Sequence, residues 1–184
     1  TSVTRPCQGV MASMETAIGC DEAFTRARVA ATARCPSRRQ EQGPYRLTPE
    51  RRALLNTIRY AEGTWTDGEN KGYRILYGGS QFHDLSRHPQ KVVVNLYASA
   101  AAGAYQFLPA TWNGLAEELT LHSFEPRYQG QAARHLVKRR GALGEIDSRG
   151  LTTAAMARLA PEWASFPTRS GRSAYGQPVK SHRE

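Results

Sequence analysis

Tyr60-Ala61-Glu62-Gly63-Thr64 closes a helix and leaves one carboxylate at its buried end. Both ends of that helix are legible. Thr48 suits the N-cap, Pro49 the first helical position, where no amide hydrogen is needed, and Glu50 adds negative charge to the first turn. Leu55, Ile58 and Glu62 recur at helical spacing beside Leu54, so Glu62 continues an apolar stripe, and Gly63 supplies the stop. Burial penalises the charged form of Glu62, and so does the negative end of the helix dipole. Both predict a raised pKa and a general acid that holds its proton near neutrality. The plainer alternative is a solvated glutamate in the last helical turn.

Downstream, a glycine-rich region reads as a hairpin. Asp67-Gly68 signals a turn, Tyr73, Ile75 and Tyr77 alternate with period two, Gly78-Gly79 reverses the chain, and Phe82 starts a short return that His83 and Asp84 end. Helical signals resume over 98–102, where alanines are abundant, and continue over 110–119, 128–138 and 152–159, with Pro109 at the start of the second. Gly141 and Gly150 end or separate elements, and Pro161 opens a short helix over 162–164. The pattern predicts an α+β fold, a mostly helical domain with a small antiparallel hairpin or sheet near its acid.

Residues 45–184 form the main domain in this reading, and 1–44 a cysteine-containing helical appendage. The tract 11–33 within it carries an apolar set, Met14, Ala17, Ile18, Phe24 and Val29, too thin for an independent core. A separate wall-binding or partner-binding module is the alternative. Cys7, Cys20 and Cys35 have no close-paired zinc spacing; one disulfide with a remaining thiol and three free thiols both stay open.

The 184 residues carry a net charge of +9, which suits an extended polyanion, including the anionic polymers of bacterial envelopes. The longest basic group, Lys138-Arg139-Arg140, is too short for a nucleic-acid tail, and the most apolar window, Val92-Val93-Val94, breaks at Asn95 before it could span a membrane. His83, His88, His122 and His135 are scattered without a metal-ligand motif, and neither a nucleophile elbow nor a phosphate loop occurs. The sequence therefore predicts no metal, no cofactor and no nucleic-acid partner.

A sugar-binding groove needs flat apolar faces rimmed by polar groups, and Tyr73, Tyr77, Tyr105, Trp112, Trp163 and Tyr175 are candidates. Each has an alternative role in the core. Tyr105-Gln106 is the better case, because it follows a small-residue run in which Gly103 permits close approach, although Gln106 could equally bond a neighbouring loop. Glycoside hydrolases usually use two carboxylates, and Asp67, Glu69 and Asp84 are the candidate partners of Glu62.

Together these residues resemble the bacteriophage lambda lysozyme family, peptidoglycan lytic transglycosylases of lysozyme-like fold. The resemblance covers about residues 47–177. It is carried by the 60–64 pentad, Gly72-Tyr73, Gly78-Gly79, Phe82, His88-Pro89, Ala102-Gly103-Ala104-Tyr105-Gln106, Arg140-Gly141-Ala142-Leu143, Trp163-Ala164-Ser165-Phe166-Pro167 and Tyr175-Gly176-Gln177. It implies that Glu62 protonates the glycosidic oxygen between N-acetylmuramic acid and N-acetylglucosamine. The same carboxylate then takes the proton of the muramic C6 hydroxyl as that oxygen attacks C1, giving a 1,6-anhydro end without water.

The resemblance further implies that Tyr105 and Gln106 line the cleft, that Trp163 and Tyr175 support its walls, and that Gln177 is a further contact. The hairpin bearing Tyr73 and Tyr77 becomes one lip over the glycan. It also implies a monomer with peptidoglycan strands as partner, no stable protein partner, and action in the periplasm or cell wall during host lysis. Ala104 stands where the lambda enzyme has arginine, and Gly130 where the motif has aspartate. A hydrolytic muramidase with a second carboxylate and a peptidoglycan-binding protein without turnover are the competing readings.

Overall fold

The computed structural model describes residues 43–65, 70–176 and 178–181. The expectations for the appendage, its cysteines, Asp67, Glu69 and Gln177 lie outside these residues. Five α-helices are present among those described: α1 (Pro49–Ala61), α2 (Pro109–Leu119), α3 (Pro126–Arg139), α4 (Leu143–Arg149) and α5 (Thr153–Leu159). A 3-10 turn spans Asn70–Arg74, and β1 (Val93–Val94) pairs antiparallel with β2 (Ala98–Ser99), Val93 opposite Ser99. The predicted class, mostly helical with one small antiparallel sheet, is the observed one.

Helix α3 is the centre of the packing and touches α1, α2 and α4. Its inner face is short, with Ala132 and Ala133 beside Leu136 and Val137, so neighbouring helices approach closely. Leu54 and Ile58 of α1, Leu115 of α2, Ile146 of α4 and Leu159 of α5 meet them in one core. A tilted and edge-on aromatic stack, Phe107, Trp112 and Phe124, fills the side toward the hairpins. Trp112 is thus core rather than a sugar platform. Helix α1 begins as its ends predict, with the Thr48 hydroxyl accepting from the Arg51 amide at 3.3 Å and Pro49 in the first turn.

Three local expectations are corrected. The alanine run over 98–102 is extended, not helical. Its backbone is spent across the chain: the Tyr77 amide donates to Ala101, and Ala102 forms bridges to both Leu76 and Phe107. Tertiary pairing outweighs alanine's helix propensity there, and the small side chains let this segment pass through the core. Tyr73 and Tyr77 do not sit on one strand. Tyr73 lies in the 3-10 turn and Tyr77 opens a reverse turn, while the hairpin is reduced to the Ile75–Gln81 bridge around Gly78-Gly79. Residues 162–164 form turns, with the amides of Glu162 and Trp163 both donating to Leu159, because Pro161 has no amide to continue α5. Helix α4 was not anticipated, and with Ile146 its one buried side chain it offers almost no apolar period.

Candidate active site

The chain leaves α1 through a double hydrogen-bonded stop. The Gly63 amide donates to Tyr60 and the Thr64 amide to Arg59, and Gly63 takes φ +70°, the left-handed conformation this exit needs. Glu62 is therefore the C-cap rather than a residue of the last turn. Two residues later, the Thr64 hydroxyl donates to Ala104 at 2.6 Å. Gly72 presses the 3-10 turn onto the same place; a Cβ there would lie 2.1 Å from the Thr64 carbonyl oxygen. No side chain fits at 72 without moving the backbone that carries Glu62.

Gln129, fully buried on α3, ties this seam together. Its Oε1 accepts from the Ala104 amide at 2.9 Å, and its Nε2 donates to Phe124 at 2.7 Å and to Tyr73 at 3.1 Å. One side chain thus satisfies three buried backbone groups from three segments. Gly103, at φ +81°, passes directly over it, where a Cβ would fall 2.3 Å from Oε1. The Arg59 guanidinium lies 4.7 Å from the Trp65 ring and 4.8 Å from the Tyr73 ring, and so fixes the flank of the same exit.

Glu62 itself is partly accessible. Its Oε1 accepts a 2.5 Å hydrogen bond from the Ser165 hydroxyl. Burial pushes its pKa from the usual 4.5 up to about 7, and the Ser165 bond, which favours the charged form, pulls weakly the other way. Among the described residues no charged neighbour contributes to that shift. Burial sets the carboxyl near neutrality, so it can give a proton and take one back at the same pH.

Ser165 is held in turn from several sides. The Lys180 amide donates to its carbonyl at 3.0 Å, and the Lys180 ammonium lies 5.1 Å from the Tyr60 ring, at the head of the same pentad. Nearby, the Trp163 indole donates to Tyr105 at 3.1 Å, linking this turn to the Ala104–Tyr105 segment. In the sequence Ser165 stands out only as part of the motif over 163–167. Nothing local marks a contact made across 103 residues. Gln129 and Thr64 were likewise unassigned, since their partners are backbone atoms that no pattern of side chains reveals.

The residues read as glycan contacts divide. Tyr105 is 1% exposed, its ring edge-on to Tyr73 and Phe107, so it does not present a face to a ligand. Trp163 is also buried and serves as support. Gln106, at φ +49°, turns its Nε2 onto the carbonyls of Gly103 and Ile75, the loop-bracing alternative. Tyr73 and Tyr77 are half-buried. Tyr175 is exposed, and its hydroxyl donates to Pro161 at 2.8 Å, which anchors the ring. Asp84 is exposed; the Ser86 side chain first, and then the Ser86 amide that donates to its carboxylate at 2.8 Å, hold its pKa below the usual range.

Of the two departures, Ala104 is fully buried with both its amide and its carbonyl engaged. Gly130 faces Arg134 one turn along α3, with room for a Cβ at 3.6 Å from Nη2. No group of His, Cys, Asp or Glu able to hold a metal ion occurs among the described residues.

Comparison with known proteins identifies relatives of this chain. A family model described as Endolysin matches residues 52–184. The endolysin of Escherichia phage lambda is 37% identical over 136 residues, which covers 71% of this chain and 83% of that protein. The endolysin of Escherichia phage P2 is 32% identical over 139 residues, covering 68% and 81%. Among solved structures, bacteriophage lambda lysozyme in complex with a chitohexasaccharide superposes with a TM-score of 0.67 at 35% identity, over 75% of this chain and 90% of that one. The chain belongs to the endolysin family and has the fold of bacteriophage lambda lysozyme.

Proposed function

We propose that this endolysin is a peptidoglycan lytic transglycosylase in which Glu62 is the sole acid and base. The observation that carries the reading is the carboxyl at the C-cap of α1, held by the Ser165 hydroxyl at 2.5 Å and pushed by burial to a pKa of about 7. Glu62 first donates its proton to the glycosidic oxygen between N-acetylmuramic acid and N-acetylglucosamine. The resulting carboxylate, with the Ser165 hydroxyl on one oxygen, then accepts the proton of the muramic C6 hydroxyl as that oxygen closes on C1. A bond from C1 to the leaving oxygen breaks, a bond from C1 to O6 forms, and the acid is regenerated without water.

The solved relative bound to a chitohexasaccharide supports a glycan strand as ligand. Tyr73, Tyr77 and Tyr175 are the substrate-facing aromatic residues in this reading. Gln106 shapes the lip from behind and Tyr105 and Trp163 support it. The hairpin of β1 and β2, stacked on the Gly78 turn through Val93 and Asn95, extends that lip. Peptidoglycan of the periplasm or cell wall is the substrate, met during host lysis.

Mass analysis of fragments released from purified peptidoglycan tests the reaction type. Anhydro-muramic ends are expected. Reducing ends would assign a hydrolytic muramidase, and intact glycan a binding protein.

A further inference from the structure

We propose that the turn from Thr168 to Arg172 is a carboxylate-binding element that presents Arg169 and Arg172 to the peptide stems of the glycan strand. The inference rests on the glycan-cleaving function proposed above and adds a second recognition chemistry beside the acid.

The turn begins three residues after Ser165, whose hydroxyl holds Glu62, and its base is anchored by buried Phe166 and Pro167. Four residues of chain reach at most about 14 Å, so Arg169 stays within a few sugar rings of the acid. The turn closes on itself. The Thr168 amide and hydroxyl both donate to Arg172 at 2.9 Å, the Gly171 amide donates back to Thr168 at 2.9 Å, and Gly171 takes φ +72° to allow it. The Thr168 and Ser170 hydroxyls add a 3.0 Å bond. Both guanidinium groups therefore stand on a pre-shaped loop, which lowers the entropy lost on binding.

Both arginines are exposed, and neither has an ion pair among the described residues. Arg51, Arg140 and Arg158, in contrast, are matched by Asp147, Glu162 and Glu145. Between Glu162 and Glu184 the sequence contains no acidic residue at all. Among the described residues nothing matches the charge on the turn. Sugar rings of the glycan offer hydroxyls and N-acetyl groups, whereas its negative groups are the carboxylates of the stems, borne on the lactyl ether of the same muramic residue whose C1 reacts. A planar guanidinium fork fits a carboxylate in two-point contact.

The test compares wild type with the double variant Arg169→Gln, Arg172→Gln on two soluble substrates, uncross-linked strands with free stem carboxylates and the same strands with those carboxylates converted to amides. Wild type should favour the strands with free stem carboxylates in kcat/KM by about threefold to tenfold, mainly through KM, as expected for two exposed charge pairs. In the variant that preference should collapse toward one and return in part with Arg→Lys at both sites. A preference that survives substitution, or a wild type with none, overturns the proposal. Loss of binding to a phosphate-bearing envelope polymer with stem preference intact also overturns it and assigns the turn to phosphate. If wild type cleaves neither strand, the proposed reaction fails, and equilibrium binding of the two strands still decides the turn by the same ratio.

Discussion

The exit from α1 and the hairpin of β1 and β2 are held in opposite ways. Around Glu62, Thr64, Ala104 and Gln129 share buried hydrogen bonds between 2.6 and 3.1 Å, and Gly72 and Gly103 admit contacts that no other residue could. In the hairpin, two residue pairs hold strands whose connection leaves Val94 78% and Leu96 81% exposed. The first region is over-determined, as the proposed reaction requires, since a misplaced acid would lose its geometry. The second has little to hold it in one position, which suits a lip that yields to an incoming polymer.

Substitutions should separate the two regions by size of effect. Glu62→Gln removes the proton donor and should lower the rate of glycan cleavage by about 10²- to 10⁴-fold, read as fragment release. The same variant should be more stable than wild type at alkaline pH. With a native pKa of about 7 against 4.5, the folded state binds the proton more tightly, so stability is fully present below about 4.5 and declines as pH rises through 7. Gln carries no charge to bury, and its advantage should reach about 3 kcal/mol at pH 8 and vanish near pH 4, measured by chemical unfolding.

Gln129→Leu leaves the Ala104 amide and the Tyr73 and Phe124 carbonyls without their partner in a dry interior. A loss of about 3 kcal/mol or more in unfolding free energy is expected. Ser165→Ala should cost about tenfold in kcat, a typical value for one hydrogen bond to a charged group. It should also move the alkaline limb of the kcat/KM profile to higher pH, because the lost bond favoured the carboxylate. Ser165→Thr should restore part of both. Leu96→Ser, at the exposed tip of the hairpin, should change stability by less than about 0.5 kcal/mol, and any effect on cleavage should appear in KM.

The contrast between regions also explains what the sequence disclosed. Helix α1 was legible because its signals are local: a capping threonine, a proline in the first turn, an apolar stripe and a stop glycine. Glu62 followed from its place on that stripe, and burial does raise its pKa. The alanine run over 98–102 misled because its conformation is decided by Tyr77, Leu76 and Phe107, which are distant or across a turn. Tyr105 misled differently. An aromatic beside a glycine looks like a sugar platform, yet its ring completes the packing between Tyr73 and Phe107, and its carbonyl is what the site uses. Ser165 and Gln129 act on partners far along the chain, and such contacts leave no periodic trace.

The lone-carboxylate mechanism stands on the ionisation of one side chain in the folded protein. Titration of the Glu62 carboxyl carbon by NMR, assigned by its loss in Glu62→Gln, reads that ionisation directly. A midpoint of about 7 is expected, moving upward in Ser165→Ala. A midpoint at the ordinary 4.5 would leave Glu62 ionised at neutral pH and contradict its role as the acid.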